Sequence, residues 1–333
     1  MSPFFAAGDR PAGGPMSSRS RVLALALATV LLAGVAVGYV LLTRRPAPAA
    51  NPPAPGPVTL PPGARLLTVT DRHLATVTGG TRTVSAVECV RVYAAAGTGI
   101  CLRAENPWAY QVVVLDAGLR QTAAFGVPGL PNRARVSPSG RMVGWTTFVG
   151  GDSYTAAGFS TRTGIYDTRT GTKVTTLEGF AITRAGRPYR AADVNFWGVT
   201  FADDNVFYAT MSTGGQRYLV RGDFANRAVV TLATNVECPS LSPDGTRVAF
   251  KQAIGGDPLR GWRLSVLDLA TLRVTATAEP ASVDDQAAWL DDTTLAYTLR
   301  HSDGSPDVWT VPADGSGPSR VLIPGAESPS ALR

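Results

Sequence analysis

From residue 64 onward three observations bear on the fold. Two strand–turn–strand signatures interleave along the whole stretch. No helical 3.6-residue pattern of useful length interrupts them. Strand-like segments are left over at both ends, three before the first full repeat and one after the last. Together they predict an all-β fold, a six-bladed β-propeller of four-stranded antiparallel blades, preceded by one N-terminal transmembrane helix. Seven blades is the alternative if a weak blade lies within 146–195.

The chain of 333 residues divides into 1–20, 21–43, 44–63 and 64–333. Residues 1–20 are rich in Gly, Pro and Ser and read as a disordered tail. Val22 to Thr43 carries no charge, enough helix to span a bilayer core. Three Arg precede it (Arg10, Arg19, Arg21) and two follow (Arg44, Arg45). That bias favours the N-terminus inside and the following domain outside the cytoplasm. Cleavage near Ala47-Pro48-Ala49 as a signal peptide is the competing reading. Pro46 to Gly63 is proline-rich, a semi-rigid spacer.

Charge excludes one class of function. The net charge is +6, but five Arg against Asp9 alone sit in residues 1–45. The rest is nearly balanced, so no basic stripe points to nucleic acid. A hydrophobic content of 44 % supports a packed core.

The first signature is a strand, a tight turn and a strand, as in Leu241-Ser242-Pro243-Asp244-Gly245-Thr246-Arg247-Val248. Pro presets φ, Asp bonds back to the backbone and Gly accepts positive φ. It recurs around Gly97, Gly140, Asp204 and Asp292. The second is an apolar strand ending in Asp, at Asp116, Asp167, Asp223, Asp268 and Asp314. Each pair marks four strands, and repeats of about 45 residues of this kind mark propeller blades. Arg65–Thr70, Arg72–Thr78 and Arg82–Val87, closed by Ser328–Leu332, make a sixth blade from both chain ends.

Ser242-Pro243-Asp244-Gly245-Thr246-Arg247-Val248-Ala249-Phe250 and Asp307-Val308-Trp309-Thr310-Val311-Pro312-Ala313-Asp314-Gly315 resemble the WD-like repeats of TolB-like propellers. The resemblance implies an extracytoplasmic six-bladed propeller of a bacterial envelope, working through protein contacts. The membrane segment and spacer depart from the family's soluble periplasmic namesake.

The repeat also locates extra residues. Gly140 to Asp167 and Asp167 to Asp204 are the two long intervals. The insertions fall at about Thr146–Gly164, between strands two and three of a blade, and Gly179–Asn195, between blades. Both connections emerge on one face, and function tends to sit on long loops held by a rigid scaffold. The expected interaction residues are Gly151, Asp152, Tyr154 and Phe159 on the first loop. On the second they are Arg184, Arg187, Tyr189 and Arg190. The expected partner is an envelope protein, with the membrane engaged through the N-terminal helix.

Cys89 and Cys101 flank a hairpin folding about residue 95 and fall nearly opposite, so a disulfide is expected outside the cytoplasm. Cys238 is expected as a buried free thiol. His73 and His301 read as surface or edge residues, and no G-x-S-x-G elbow is present. Gly151-Asp152-Ser153 resembles the start of a GDS-type lipase block, but the downstream Asp-x-x-His is missing. No catalytic, metal or cofactor-binding residue is assigned, and no cofactor is expected. Glu88, Asp193, Asn195, Glu237 and Asp285 all precede inner strands and are expected to converge at the channel mouth. A channel-based small-ligand binder or metal-dependent hydrolase is the alternative function to a non-catalytic scaffold or sensor.

Overall fold

The computed structural model describes residues 24–35, 58–63, 65–106, 109–150 and 160–332. Residues 24–35 form a helix whose leucines and valines are exposed. The remainder of the expected membrane segment, 21–23 and 36–43, lies outside the described residues. Among the described residues no helix is long and apolar enough to cross a membrane. Residues 24–35 and the propeller belong to separate compact units.

The propeller opens with β1 (Arg65–Thr70), β2 (His73–Thr78) and β3 (Thr81–Glu88). Blade II follows as β4 (Arg91–Ala95), β5 (Thr98–Asn106), β6 (Ala109–Leu115) and β7 (Gln121–Val127). Blade III is β8 (Leu130–Val136), β9 (Met142–Val149), β10 (Ser160–Asp167) and the two-residue β11 (Lys173–Val174). A hairpin comes next, β12 (Ala181–Arg184) and β13 (Arg187–Tyr189). Blade IV is β14 (Asn195–Phe201), β15 (Val206–Thr213), β16 (Gln216–Asp223) and β17 (Ala228–Thr234). Blade V is β18 (Glu237–Leu241), β19 (Arg247–Ala253), β20 (Trp262–Asp268) and β21 (Val274–Ala276). Blade VI is β22 (Ala288–Trp289), β23 (Thr294–Arg300), β24 (Pro306–Pro312) and β25 (Arg320–Pro324). The last strand, β26 (Glu327–Leu332), pairs with β1, Arg65 opposite Leu332, and completes blade I.

The sixth blade thus has the composition expected, three strands from one end and one from the other. One blade departs from four strands. The β12–β13 hairpin adds to blade IV, with β12 parallel to β17, and makes a six-stranded sheet. This accounts for the second insertion. Ala185 and Gly186 take positive φ, which a two-residue hairpin turn requires.

Blades stack face to face, so middle strands are buried on both sides and lose the polar alternation. Val112 to Leu115 are all buried. Apolar clusters fill the spaces between blades, the largest around Phe196, Phe201, Phe207 and Met211.

The short turns share one face. In Ser242–Arg247 the Gly245 amide donates to the Ser242 carbonyl (2.9 Å), the Thr246 amide to the Asp244 carboxylate (3.0 Å), and Gly245 has φ 71°. Neighbouring turns are laced together. The Asp204 carboxylate accepts from Ser137 (2.8 Å) and Ser139, and the Asp244 amide donates to Asp292 (3.1 Å). The chain comes into the propeller on this same face. Val58 and Leu60 are buried, and the Leu60 amide donates to the carbonyl of Ala117, in the turn after β6. The end of the proline-rich stretch is therefore packed against blade II.

Candidate functional site

The opposite face, called here the insertion face, carries the irregular connections. β11 pairs with β10 only at Ile165↔Val174 and Tyr166↔Lys173, so among the described residues the upper half of β10 has no outer strand beside it. An open sheet edge invites pairing by another chain. Asn195 closes part of it. The Thr161 amide donates to its Oδ1 (3.1 Å), and its Nδ2 donates to the Thr161 carbonyl (3.0 Å), as a neighbouring strand would. Nδ2 also donates to Glu178 (3.0 Å).

Beside this edge lies a groove of about 590 Å³. Phe125 and Trp145 line it, with ring centroids 5.1 Å apart, and the Lys173 ammonium sits 4.5 Å over the Phe125 ring. Arg162, Glu178, Asp193 and Asn195 supply the polar lining. Burial pushes the Glu178 carboxyl above its usual range, against the pull of hydrogen bonds and of Arg162. An aromatic wall with a few convergent polar groups is the composition of a ligand or peptide groove.

The hairpin stands next to this groove. The Arg184 guanidinium stacks over Tyr189 (4.5 Å) and Tyr218 (5.5 Å). Tyr189 Oη shares a hydrogen bond with Thr213 (2.8 Å), whose hydroxyl donates to Asp193 (2.8 Å). Arg187 is exposed, and Pro188 removes a donor from the outer edge of β13.

The channel mouth opens on the same face as a cavity of about 480 Å³ lined by Arg91, Arg133, Arg300, Asp284 and Asp285, among others. Its charges form one network. Arg133 is 6 % exposed and lies 3.6 Å from Asp284 and 3.8 Å from Asp285. Lys251, also buried, is 2.5 Å from Asp284 and 3.8 Å from Glu237. Arg217 pairs with Glu237, and Arg91 (3.2 Å) and Arg300 both reach Glu327. Deeper in, Arg135 donates to the carbonyls of Gln286 (3.1 Å) and Ala287 (2.8 Å), and Gln286 donates to Pro239 (2.7 Å). Burial raises the Glu237 carboxyl, and Lys251 and Arg217 oppose it. Burial acts the same way on Asp284, but Lys251 and then Arg133 outweigh it and hold it below the usual range.

Against known proteins, no family model matches the sequence. Over 117 residues the chain is 35 % identical to a protein named TolB homolog from Chlorobium luteolum. That match covers 35 % of this chain and 26 % of the relative, so the chain spans about a quarter of the curated protein it matches. In structure it is similar to TolB from Acinetobacter baumannii, with a TM-score of 0.59 at 15 % identity over 80 % of this chain and 66 % of that one. The likeness to TolB is one of fold. A nidogen/laminin complex is also similar, with a TM-score of 0.55 at 12 % identity over 80 % of this chain and 98 % of that chain. At such identities these structures speak to the fold alone.

The five acids and amides expected at the channel divide. Glu237 and Asp285 belong to the mouth network. Glu88, Asp193 and Asn195 do not. Glu88 ends β3, mostly exposed, 3.9 Å from His73. Asp193 accepts from the Gly214 amide (2.6 Å) and caps the β15–β16 turn, and Asn195 closes the β10 edge. Preceding an inner strand fixes where a residue enters the sheet, but not the direction of its side chain. Sequence reasoning missed the basic half of the network. Arg133 and Arg135, two apart on inner strand β8, were the available signal, since period two sends both toward the channel.

Cys89 and Cys101 are joined in a disulfide, with Cα atoms 5.5 Å apart. Cys238 is a buried free cysteine. Arg184, Arg187, Tyr189 and Arg190 lie in and after the hairpin. Gly151, Asp152, Tyr154 and Phe159 lie outside the described residues. Among the described residues no group of His, Cys, Asp and Glu is arranged to hold a metal ion.

Proposed function

We propose that the chain is a membrane-tethered, extracytoplasmic propeller that docks an envelope protein on its insertion face as a non-catalytic scaffold or sensor. The observation that carries this reading is the opposition of the two faces. The turn face repeats one motif and receives the chain at Val58–Leu60. The groove, the added hairpin and the charged mouth all open on the other face. The described chain thus enters on the turn face, opposite the surface proposed for docking. The resemblance to TolB-like proteins supports the extracytoplasmic placement, and the uncharged run from Val22 to Thr43 supports the tether.

The proposed contact residues are Gly151, Asp152, Tyr154 and Phe159 with Arg184, Arg187, Tyr189 and Arg190. Both histidines have local partners. His301 pairs with Asp307 (2.8 Å), and His73 Nδ1 meets the Asp71 carbonyl (2.8 Å).

In-cell crosslinking of the full chain tests the reading. Two variants are compared with the parent: residues 151–159 replaced by Gly and Ser at equal length, and Arg187→Ala with Arg190→Ala, both exposed. Both should lose the crosslinked partner while keeping the parent's melting temperature. Unchanged crosslinking in both removes the docking face. Alkaline carbonate extraction should leave the chain in the membrane pellet, and its release would remove the tether.

A further inference from the structure

The channel mouth holds more positive charge than it neutralises. Six basic side chains meet there or just below: Arg91, Arg133, Arg135, Arg217, Lys251 and Arg300. Four carboxylates answer them, Glu237, Asp284, Asp285 and Glu327. Each carboxylate meets at least one cation. Asp285, besides Arg133, accepts from the Thr298 amide (2.9 Å) and the Gln286 amide (2.9 Å). Glu327 serves Arg91 and Arg300 at once.

The cations are not equally served. Arg91 and Arg133 each keep a buried Nε without a hydrogen-bond partner. Among the described residues Arg135 has no carboxylate within ion-pair distance and is met by main-chain carbonyls, the Ser240 hydroxyl and the Tyr93 ring, 4.5 Å away. Buried charge without its counter-charge costs several kcal/mol, so an anion that supplies it binds favourably. Arg91 feels this excess. Burial pulls its guanidinium below the ordinary value, and the nearby charges of Arg133 and Arg300 add to the fall against Asp285 and Glu327.

Arg91, Arg133 and Arg300 line one cavity of about 480 Å³, within the usual range for small-molecule sites. Asn132, Ser282 and Thr298 add uncharged polar groups to its wall. Guanidinium groups match the planar oxygen pairs of carboxylates and phosphates. We infer that the channel mouth is a binding site for a small oxyanion ligand carrying two negative charges, held between Arg91, Arg133 and Arg300. This site is separate from the protein-docking surface proposed above, and the two are read out by different measurements.

Titration calorimetry on the full chain at constant ionic strength tests it, with succinate and inorganic phosphate as probes and chloride as the balancing ion. One of the two should give saturable one-to-one binding. Succinate binding assigns the site to dicarboxylates, and phosphate binding to phosphate-bearing molecules. Arg91→Gln should weaken the bound probe at least about tenfold. Arg300→Gln, at a half-exposed side chain, gives a second variant that should weaken it while leaving the melting curve in place. No saturable binding of either probe overturns the inference. So does binding within twofold of the parent in both variants, provided each melts as the parent does.

Discussion

The two faces of the propeller are built from the same strands and differ in what their connections are asked to do. On the turn face each connection solves one local problem, reversing a strand in a few residues. Many do so with one chemistry, a carboxylate receiving main-chain amides, while the turns at Gly79-Gly80 and Ala96-Gly97 rely on positive φ instead. Asp116, Asp167, Asp223 and Asp268 all sit below their ordinary carboxylate range, Asp116 and Asp223 chiefly through main-chain amides, Asp167 chiefly through Arg141 and Asp268 chiefly through the Thr271 hydroxyl. On the insertion face two-residue turns at Asp71-Arg72 and Gly214-Gly215 stand beside longer, unlike connections, and charges there answer residues far away in sequence. The carboxylates at Glu178 and Glu237 are raised by burial there. Where a carboxylate is depressed by local amides it serves the fold.

The largest expected effect tests whether either face exists without closure. Deleting 327–332 removes β26, the inner strand of blade I, and exposes the edge of β1. The cooperative melt and the near-ultraviolet circular dichroism should both be lost. A retained two-state melt would show that the blades hold without the ring.

On the turn face, Asp167→Asn should destabilise by about 2 kcal/mol. Asp167 is buried, pairs with Arg141, and accepts from the Arg169 amide (2.9 Å). Arg141 first, then the amides of Arg169 and Thr170, holds its carboxyl well below the usual value. Because the folded value is depressed, the stabilisation is present above the ordinary 3.8 and lost as the pH falls toward the folded value. The variant should flatten that part of the acid limb in pH-dependent denaturant melts, and an unchanged limb would assign acid sensitivity elsewhere.

On the insertion face, Asn195→Ala should cost about 1 kcal/mol, since the bared Thr161 amide and carbonyl can turn to water in the groove. Hydrogen exchange at Thr161 should rise more than at Ile165, whose strand partner remains. Equal protection at both would mean that Asn195 does not guard the edge.

The turn face was almost wholly legible from sequence because its determinants are local. Pro243-Asp244-Gly245 specifies a turn whatever surrounds it, and its recurrence places the blades and the sixth-blade closure. The hairpin was not read as strands. Arg184-Ala185-Gly186-Arg187 contains a Gly, but the segments flanking it are too short for alternation to show. Its parallel partner, β17, begins more than forty residues downstream. The channel was half legible. Glu237 and Asp285 lie where expected, but their partners come from β8, β16 and β19, on three blades, and only the closed ring brings them together. Asn195 was assigned to the channel because it begins an inner strand, whereas its side chain turns outward to the edge of the preceding blade.

The way the chain joins the propeller has a mechanical side. The Leu60 amide is bonded to Ala117 of blade II (2.8 Å), and the Gly63 amide to Leu332 of blade I (3.1 Å). A pull at residue 58 is thus shared between two neighbouring blades before it loads β1. β1 is itself clamped between β2 and β26. Force arriving there meets the joint as a bracket bolted at two points, and is not free to peel the first strand from its sheet.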